Sequence, residues 1–379
     1  MHAVQVGWVL DAERREPAAL LDAWPTLCDV ACAANADGVR VTVIQAAHRD
    51  ALIERGGVTF HFVAGASARA VMRRLVARAA ELRPDILHVQ GLSFPIQTRV
   101  LTRAFPRVPV LVQDHGSRPP TWWKRPLHRW GLAGIAGAAF TAREQAAPFV
   151  AAGVLRPDLP VFEVLESSSR FTPGDRDAAR RATGLYGDPC LAWVGRLDAN
   201  KDTLTVLDAV SRALPSLPGV QLWCCYTDAP LFEAVHARLA AEPALAARVH
   251  LLGRLPHERV QEVLRAADFL VLGSHAEGSG YAVIEALACG TTPLVTDIPS
   301  FRRITGGGGY GALSPPGDAA AMARALVDWA ARDRDALRRA ARAHFERALS
   351  FDAVGEELRA AYRALAAARP RVHAVGGRA

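Results

Sequence analysis

Short apolar runs, each followed by a stretch of helical character, recur in two series along this chain. That rhythm restricts it to parallel sheets covered by helices on both faces. The first series begins at residues 4–10, passes through a helical stretch at 18–36, and continues at 39–44, 86–89 and 108–112. The second restarts at 190–194 and continues at 220–224, 249–252, 269–272 and 293–295. A length of 379 residues is more than one ordinary core holds and suits two domains of about 150–200 residues each. The segment from Ser167 to Asp175 is rich in turn formers and reads as the join. The expected architecture is α/β, two doubly wound Rossmann-like domains facing each other across a cleft. Residues 1–166 form the first domain, 167–350 the second, and 351–379 a helical tail that packs back on the first, with 370–379 expected to fray.

In such sheets ligands sit beyond the C-terminal ends of the strands, at helix N-termini. The most specific stretch obeys that rule. His275-Ala-Glu-Gly-Ser-Gly-Tyr-Ala-Val-Ile-Glu285 follows an apolar run and opens a helix after a glycine-rich turn. The N–H groups of Gly280, Tyr281 and Ala282, with the positive pole of the helix, make a ready phosphate site. Gly278 and Gly280, on either side of Ser279, let a ligand approach the backbone. Glu285 lies about five residues into the helix, roughly 7.5 Å along its axis. A diphosphate at the helix end would bring a ribose to its carboxylate, which accepts two hydroxyl hydrogen bonds. Glu277 precedes the turn, on the side where a transferred group would lie. A capped helix with one solvated glutamate is the plain alternative.

A second constellation follows the first strand of the second domain. Arg196 offers a planar fork of donors and Lys201 a compact charge, and together they can neutralise a leaving diphosphate. Only Lys124 and Lys201 are lysine among the 45 basic residues, so a lysine here stands out.

Gly195-Arg196-Leu197 with Lys201, the E-x7-E pair Glu277 and Glu285, and Cys289-Gly290 together resemble the family 4 retaining glycosyltransferases of GT-B fold (glycosyl transferases group 1). The motifs at 85–89, 113–116, 152–154 and 253–256 fall in the order that family has. The resemblance implies that Arg196 and Lys201 bind the donor's phosphates, Glu277 the transferred sugar and Glu285 the ribose. It implies that Arg254 and Leu255 line the base pocket and that His115 approaches donor sugar and acceptor. It also implies retention of anomeric configuration. Two departures bear on the acceptor side. The first-strand loop reads Gly7-Trp-Val-Leu10 where the family often has two glycines, and Glu166-Ser-Ser-Ser-Arg-Phe171 replaces the usual interdomain Asn-Gly-Val-Asp.

The function expected on these grounds is transfer of a sugar from a nucleoside-diphosphate sugar to a hydroxyl of a sugar, glycolipid or other acceptor, in glycan, glycolipid or polysaccharide synthesis. The alternatives are a sugar-nucleotide epimerase or phosphorylase of the same fold, or a non-catalytic partner subunit. No metal cofactor is expected, because no Asp-x-Asp motif of the kind metal-dependent transferases use is read in the second domain. The net charge of +7 is spread along the chain without a zinc finger, RNP motif or basic-aromatic ladder, so nucleic acid is not the expected partner.

Trp122-Trp-Lys-Arg-Pro-Leu-His-Arg-Trp130 mixes aromatics with cations. It reads either as a membrane-surface contact or as a helix start that packs its tryptophans inward, and the second is expected. Gly306 to Gly309 lacks the Gly-Lys-Ser/Thr of a phosphate loop and reads as a turn. No run reaches the ~18 apolar residues of a membrane span, no cleavable leader is read at residues 1–10, and the six cysteines show no paired zinc spacing. The expected setting is the cytoplasm, with free thiols and any membrane contact at the inner face.

Overall fold

The computed structural model describes residues 1–368; the expectation for 370–379 lies outside the described residues. The chain divides into two compact units, one of Met1–Ser167 with the residues from Val354 on, the other Ser168–Ala353.

The first unit is built on strands β1 (His2–Gly7), β2 (Arg40–Ala46), β3 (Ala51–Arg55), β4 (Val58–Val63), β5 (Ile86–Gln90), β6 (Val110–Gln113), β7 (Gly137–Phe140) and β8 (Val161–Glu163). They form one sheet in the order β3-β4-β2-β1-β5-β6-β7-β8, parallel except where β3 pairs antiparallel with β4. The inner strands are continuous apolar runs because both faces are covered, as in β1 and β6, where every residue is buried. The strand order reverses beside β1, which pairs with β2 on one side and β5 on the other.

The helix Phe351–Ala367 belongs to this unit from Val354 on. Its Tyr362 is fully buried; the phenol oxygen accepts from Gln5 Nε2 at 3.2 Å and lies 2.7 Å from His88 Nδ1. Gly355 lets the helix press on the chain at Ala33, whose carbonyl oxygen would stand 2.3 Å from any added Cβ.

The second unit carries β9 (Cys190–Gly195), β10 (Gln221–Tyr226), β11 (Val249–Gly253), β12 (Phe269–Leu272), β13 (Thr292–Thr296) and β14 (Ala312–Ser314). Their order, β11-β10-β9-β12-β13-β14, is parallel throughout and reverses between β9 and β12. That is the topological switch point, where doubly wound sheets bind ligands. Asp268, with its side chain wholly buried just before β12, accepts from Arg176 at 3.1 Å, Arg180 at 2.9 Å and the Cys190 amide at 2.8 Å. A buried carboxylate survives only with such compensation; here it locks the starts of β9 and β12 to the helix Arg176–Thr183.

One surface expectation is overturned. The tryptophans of the 122–130 segment do not pack inward: Trp122 is 77% exposed, Trp123 61% and Trp130 42%. The helix Arg125–Leu132 buries only Gly131 and Leu132 and leaves its aromatic side outward. The rings are instead faced by cations, with Lys124 Nζ 4.7 Å from the Trp123 ring and Arg99 5.5 Å from that of Trp130. The six cysteines are free thiols. Gly306, Gly307 and Gly308 all take positive φ in a turn. Among the described residues no helix is long and apolar enough to cross a membrane.

Candidate active site

Two loops meet beyond the switch point of the second unit. The one after β9 begins at Arg196 and ends at Asp202, which takes a left-handed conformation (φ 43°) and caps the helix Thr203–Ala213 by accepting from the Thr205 amide at 3.2 Å. The one after β12 runs from Gly273 to Gly280. They are joined at several points. The His275 amide donates to the Asn200 carbonyl at 2.8 Å, Asn200 Nδ2 donates to the Ala276 carbonyl at 2.9 Å, and His275 Nε2 lies 3.0 Å from Asp202 Oδ2. Gly273 is required at this seam, because a Cβ there would stand 2.7 Å from the Asp202 carbonyl oxygen.

This seam sets Lys201 Nζ 2.5 Å from Glu277 Oε1, with side-chain exposures of only 16% and 13%. Arg196 lies at the mouth; its side chain is 58% exposed and pairs with Asp198 at 2.8 Å. The helix Tyr281–Cys289 starts at Gly280, which has φ 62° and no side chain to cap the turn. A Cβ on Gly280 would lie 2.5 Å from the Phe301 ring, so both the dihedral and the space demand glycine. Ser279 is buried beside it. From Val283 on, that helix is buried except for Glu285, which projects into the site and lies 2.8 Å from His257 Nε2. The bond to Glu285 raises the His257 pKa above its usual value, against the opposing effect of partial burial.

Arg196, Lys201, Leu255, Glu277, Tyr281, Ala282 and Glu285 line one cavity of about 300 Å³. Seven expected residues therefore converge, drawn from three segments of the chain. Gly278, Ser279 and Gly280 shape the turn behind them and are not part of the wall. Arg254, exposed just after β11, is not among the residues that line this cavity, whereas its neighbour Leu255 is. Sequence reasoning also missed Tyr226 and Thr227 at the end of β10, and His257. Only the position of β10 next to β9 could have signalled the first two.

Two Asp-x-Asp spacings, not singled out from the sequence, do occur in this unit. Asp175-Arg-Asp177 and Asp333-Arg-Asp335 each open a helix, with Asp175 accepting from the Ala178 amide at 2.6 Å and Asp333 from that of Ala336 at 3.0 Å. Neither lines the cavity. Among the described residues no group of His, Cys, Asp and Glu is arranged to hold a metal ion.

His115 belongs to the first unit, in the turn after β6. Its Nδ1 lies 2.8 Å from Glu166 Oε2 and its Nε2 2.7 Å from Gln90 Oε1, so both ring nitrogens are oriented. The turn is pinned by Asp114, which accepts from the Gly116 amide at 3.1 Å and the Ser117 amide at 3.0 Å. Burial raises the Asp114 pKa, and the bonds from Ser117 oppose the rise. Beneath, fully buried His88 is held down to about 3, chiefly by desolvation.

Comparison with known proteins matches residues 175–345 to the family described as Glycosyl transferases group 1. D-inositol 3-phosphate glycosyltransferase of Nocardia farcinica is 35% identical over 45% of this chain and 39% of its own length. GDP-mannose:cellobiosyl-diphosphopolyprenol alpha-mannosyltransferase of Xanthomonas campestris is 28% identical over 60% of each chain. The chain thus spans about two fifths to three fifths of the length of these curated relatives. Among solved structures, sucrose-phosphate synthase from Thermosynechococcus elongatus superposes with a TM-score of 0.68 at 19% identity, over 97% of this chain and 100% of that one. Anabaena HepE in complex with UDP and glucose gives 0.66 at 16% identity, over 95% and 99%. The chain therefore has the α/β fold of the GT-B glycosyltransferases, and its second unit carries the sequence pattern of glycosyl transferases group 1.

Proposed function

We propose that this protein is a retaining glycosyltransferase that takes a hexosyl group from a nucleoside-diphosphate sugar bound in the second unit and passes it to an acceptor hydroxyl bound in the first. The observation that carries the reading is the convergence of Lys201, Glu277 and Glu285 in one cavity at the N-terminus of the helix Tyr281–Cys289. In this reading the diphosphate lies at the helix end. Its growing charge, as the bond to the anomeric carbon breaks, is stabilised by Lys201, Arg196 and the helix N-terminus. Glu285 anchors the ribose and Glu277 orients the sugar hydroxyls. Leu255 and the backbone beside it flank the base. The leaving phosphate takes the acceptor's proton, so no protein nucleophile is required, and the charge on Arg196 and Lys201 does the work a metal ion does elsewhere. Support comes from the relatives, which are named for glycosyl transfer, and from HepE, which is solved with UDP and glucose.

A thermal-shift screen with UDP-, GDP- and ADP-sugars tests the reading. A ligand present at about 100 times its dissociation constant adds about 2.7 kcal/mol to stability. If no nucleotide or nucleotide sugar raises the melting temperature, the reading fails. For a ligand that binds, the anomeric configuration of the product by NMR tests retention. Unchanged turnover in EDTA is the outcome expected of a metal-independent enzyme.

The exposed tryptophans favour one addition, a peripheral contact with an anionic membrane face. Trp122, Trp123 and Trp130 stand out beside Lys124, Arg125 and Arg129, the combination that seats at a lipid interface. Sedimentation with phosphatidylglycerol vesicles, lost in a Trp122→Ala/Trp123→Ala variant, is the expected result; equal recovery of both proteins with the vesicles would refute it.

A further inference from the structure

The first unit holds a cavity of about 430 Å³ beside the point where its strand order reverses, at the ends of β1 and β5. Three aromatic rings line it, those of Trp8, Trp24 and Phe94, together with Val9 and Leu27. Its polar lining consists of the amides of Gln5, Gln45 and Gln90, the hydroxyls of Thr26, Ser93 and Ser117, and His115. No arginine, lysine, aspartate or glutamate lines it.

The arrangement is fixed by the fold. Gln45 Nε2 donates to the Val9 carbonyl at 2.6 Å and to that of Ala46 at 3.0 Å, which holds the loop after β1 in place. Gly7 is what admits this amide: a Cβ there would lie 1.9 Å from Gln45 Oε1. Trp24 joins two helices, with its amide donating to the Leu20 carbonyl at 2.9 Å and its carbonyl accepting from Leu27 at 3.0 Å. The nearby Arg15 is engaged by Asp11 and Glu13, and Arg118, next to Ser117, does not line the cavity.

A phosphate or carboxylate brought here would lose its water and meet no arginine or lysine, which is the costly case. A ring with a flat C–H face would lose little, because aromatic walls replace the water it sheds. Its hydroxyls would find partners of matching strength in the hydroxyls of Ser93 and Ser117 and the amide of Gln90.

We propose that this cavity takes an uncharged hydroxyl compound with a flat apolar face, a pyranose or an aryl ring, seated against Trp24 and Phe94. To call this compound the acceptor rests on the transferase reading; to call it uncharged and flat rests on the cavity alone. Binding is therefore measured first without a donor, by saturation-transfer NMR on the full chain. The probes are phenyl β-glucoside, glucose and phenyl β-glucoside 6-phosphate.

The neutral aryl glycoside is expected to bind at least about tenfold more tightly than its 6-phosphate. Glucose separates the two sources of a flat face: binding comparable to the aryl glycoside assigns the site to the sugar ring, and much weaker binding assigns it to the aryl group. Trp24→Ala is expected to weaken the preferred probe by roughly tenfold, and Trp24→Phe, which keeps a flat ring, by less than about threefold. Equal or tighter binding of the phosphate ester overturns the proposal. So does failure of all the probes, or neutral binding that ignores both Trp24 variants. Binding as expected with no transfer from any nucleotide sugar upholds the cavity's chemistry and counts against the transferase reading.

Discussion

Lys201 Nζ and Glu277 Oε1 lie 2.5 Å apart, an ion pair that joins the loop after β9 to the loop after β12 across 76 residues of sequence. Both side chains are largely buried, so neither charge is well served by water if its partner is lost. In the proposed reading its members do different work. A cation serves the diphosphate; a carboxylate repels it and suits sugar hydroxyls.

Lys201→Met is therefore expected to weaken nucleoside-diphosphate binding by about ten- to a hundredfold, the loss of one charge-assisted hydrogen bond worth roughly 1.5–3 kcal/mol. Glu277→Gln is expected to leave that affinity unchanged or tighter, since it releases Lys201, while turnover falls by about a hundredfold. Calorimetry with UDP and GDP beside steady-state rates separates the two. If both variants lose nucleotide affinity alike, the division of roles is wrong.

Glu285 shares its carboxylate with His257, whose pKa is raised chiefly by that bond. In the proposed reading a protonated His257 competes with ribose hydroxyls for Oε1. As pH rises through the raised pKa the competitor loses its charge, so nucleotide-sugar affinity is expected to increase across that titration. The diphosphate of a nucleotide sugar keeps its charge over this range, which isolates the effect. His257→Gln should flatten the profile, and Glu285→Gln should reduce affinity about tenfold at every pH. A profile that is the same in the His257 variant and the parent chain would mean the pair plays no part in binding.

What the sequence made legible follows from what is local. The runs that became β9 and β12 are continuously apolar because both faces are covered, and the glycine turn before Tyr281 has a dihedral reason that any reader of Gly280 can state. The hairpin of β3 and β4 was missed, although Gly56-Gly57 between them is a strong two-residue turn signal. Ala51–Arg55 alternates between exposed and half-buried residues and has none of the density of the other strands. The side-chain pairings Lys201–Glu277 and His257–Glu285 were out of reach, because the first depends on how two loops meet, down to the contact of Gly273 with Asp202, and the second on how two helices pack. The outward turn of Trp122 and Trp123 was unreadable for a related reason: an amphipathic pattern identifies a face without saying what covers it.

Gly280→Ala tests the turn itself. The added Cβ would need φ 62°, strained for any residue but glycine, and would lie 2.5 Å from the Phe301 ring. Backbone strain of order 1–3 kcal/mol is expected in urea unfolding, together with loss of nucleotide binding as the helix start moves. Gly280→Ala with Phe301→Leu relieves the clash but not the dihedral, so partial recovery of stability is expected. Full recovery would show that the left-handed conformation costs nothing here.

The pH dependence of stability is set in part by His88. Burial holds its folded pKa to about 3, against 6.5 for the unfolded residue. Between those values the unfolded chain binds a proton that the folded chain does not, so stability rises with pH across the window. The full contribution is present above pH 6.5 and is lost as pH falls toward 3. A single such group gives a slope approaching about 1.4 kcal/mol per pH unit. Half-buried His61 and buried His344, lowered chiefly by desolvation, add to it in the same direction. His88→Gln removes the largest of these titrations while leaving an amide near Tyr362. Urea midpoints at pH 4.5, 5.5 and 6.5 are expected to converge in that variant relative to the parent chain. An unchanged slope would mean that His88 is reached by protons in the folded state, and that the helix bearing Tyr362 does not seal the sheet as the 2.7 Å contact between Tyr362 and His88 implies.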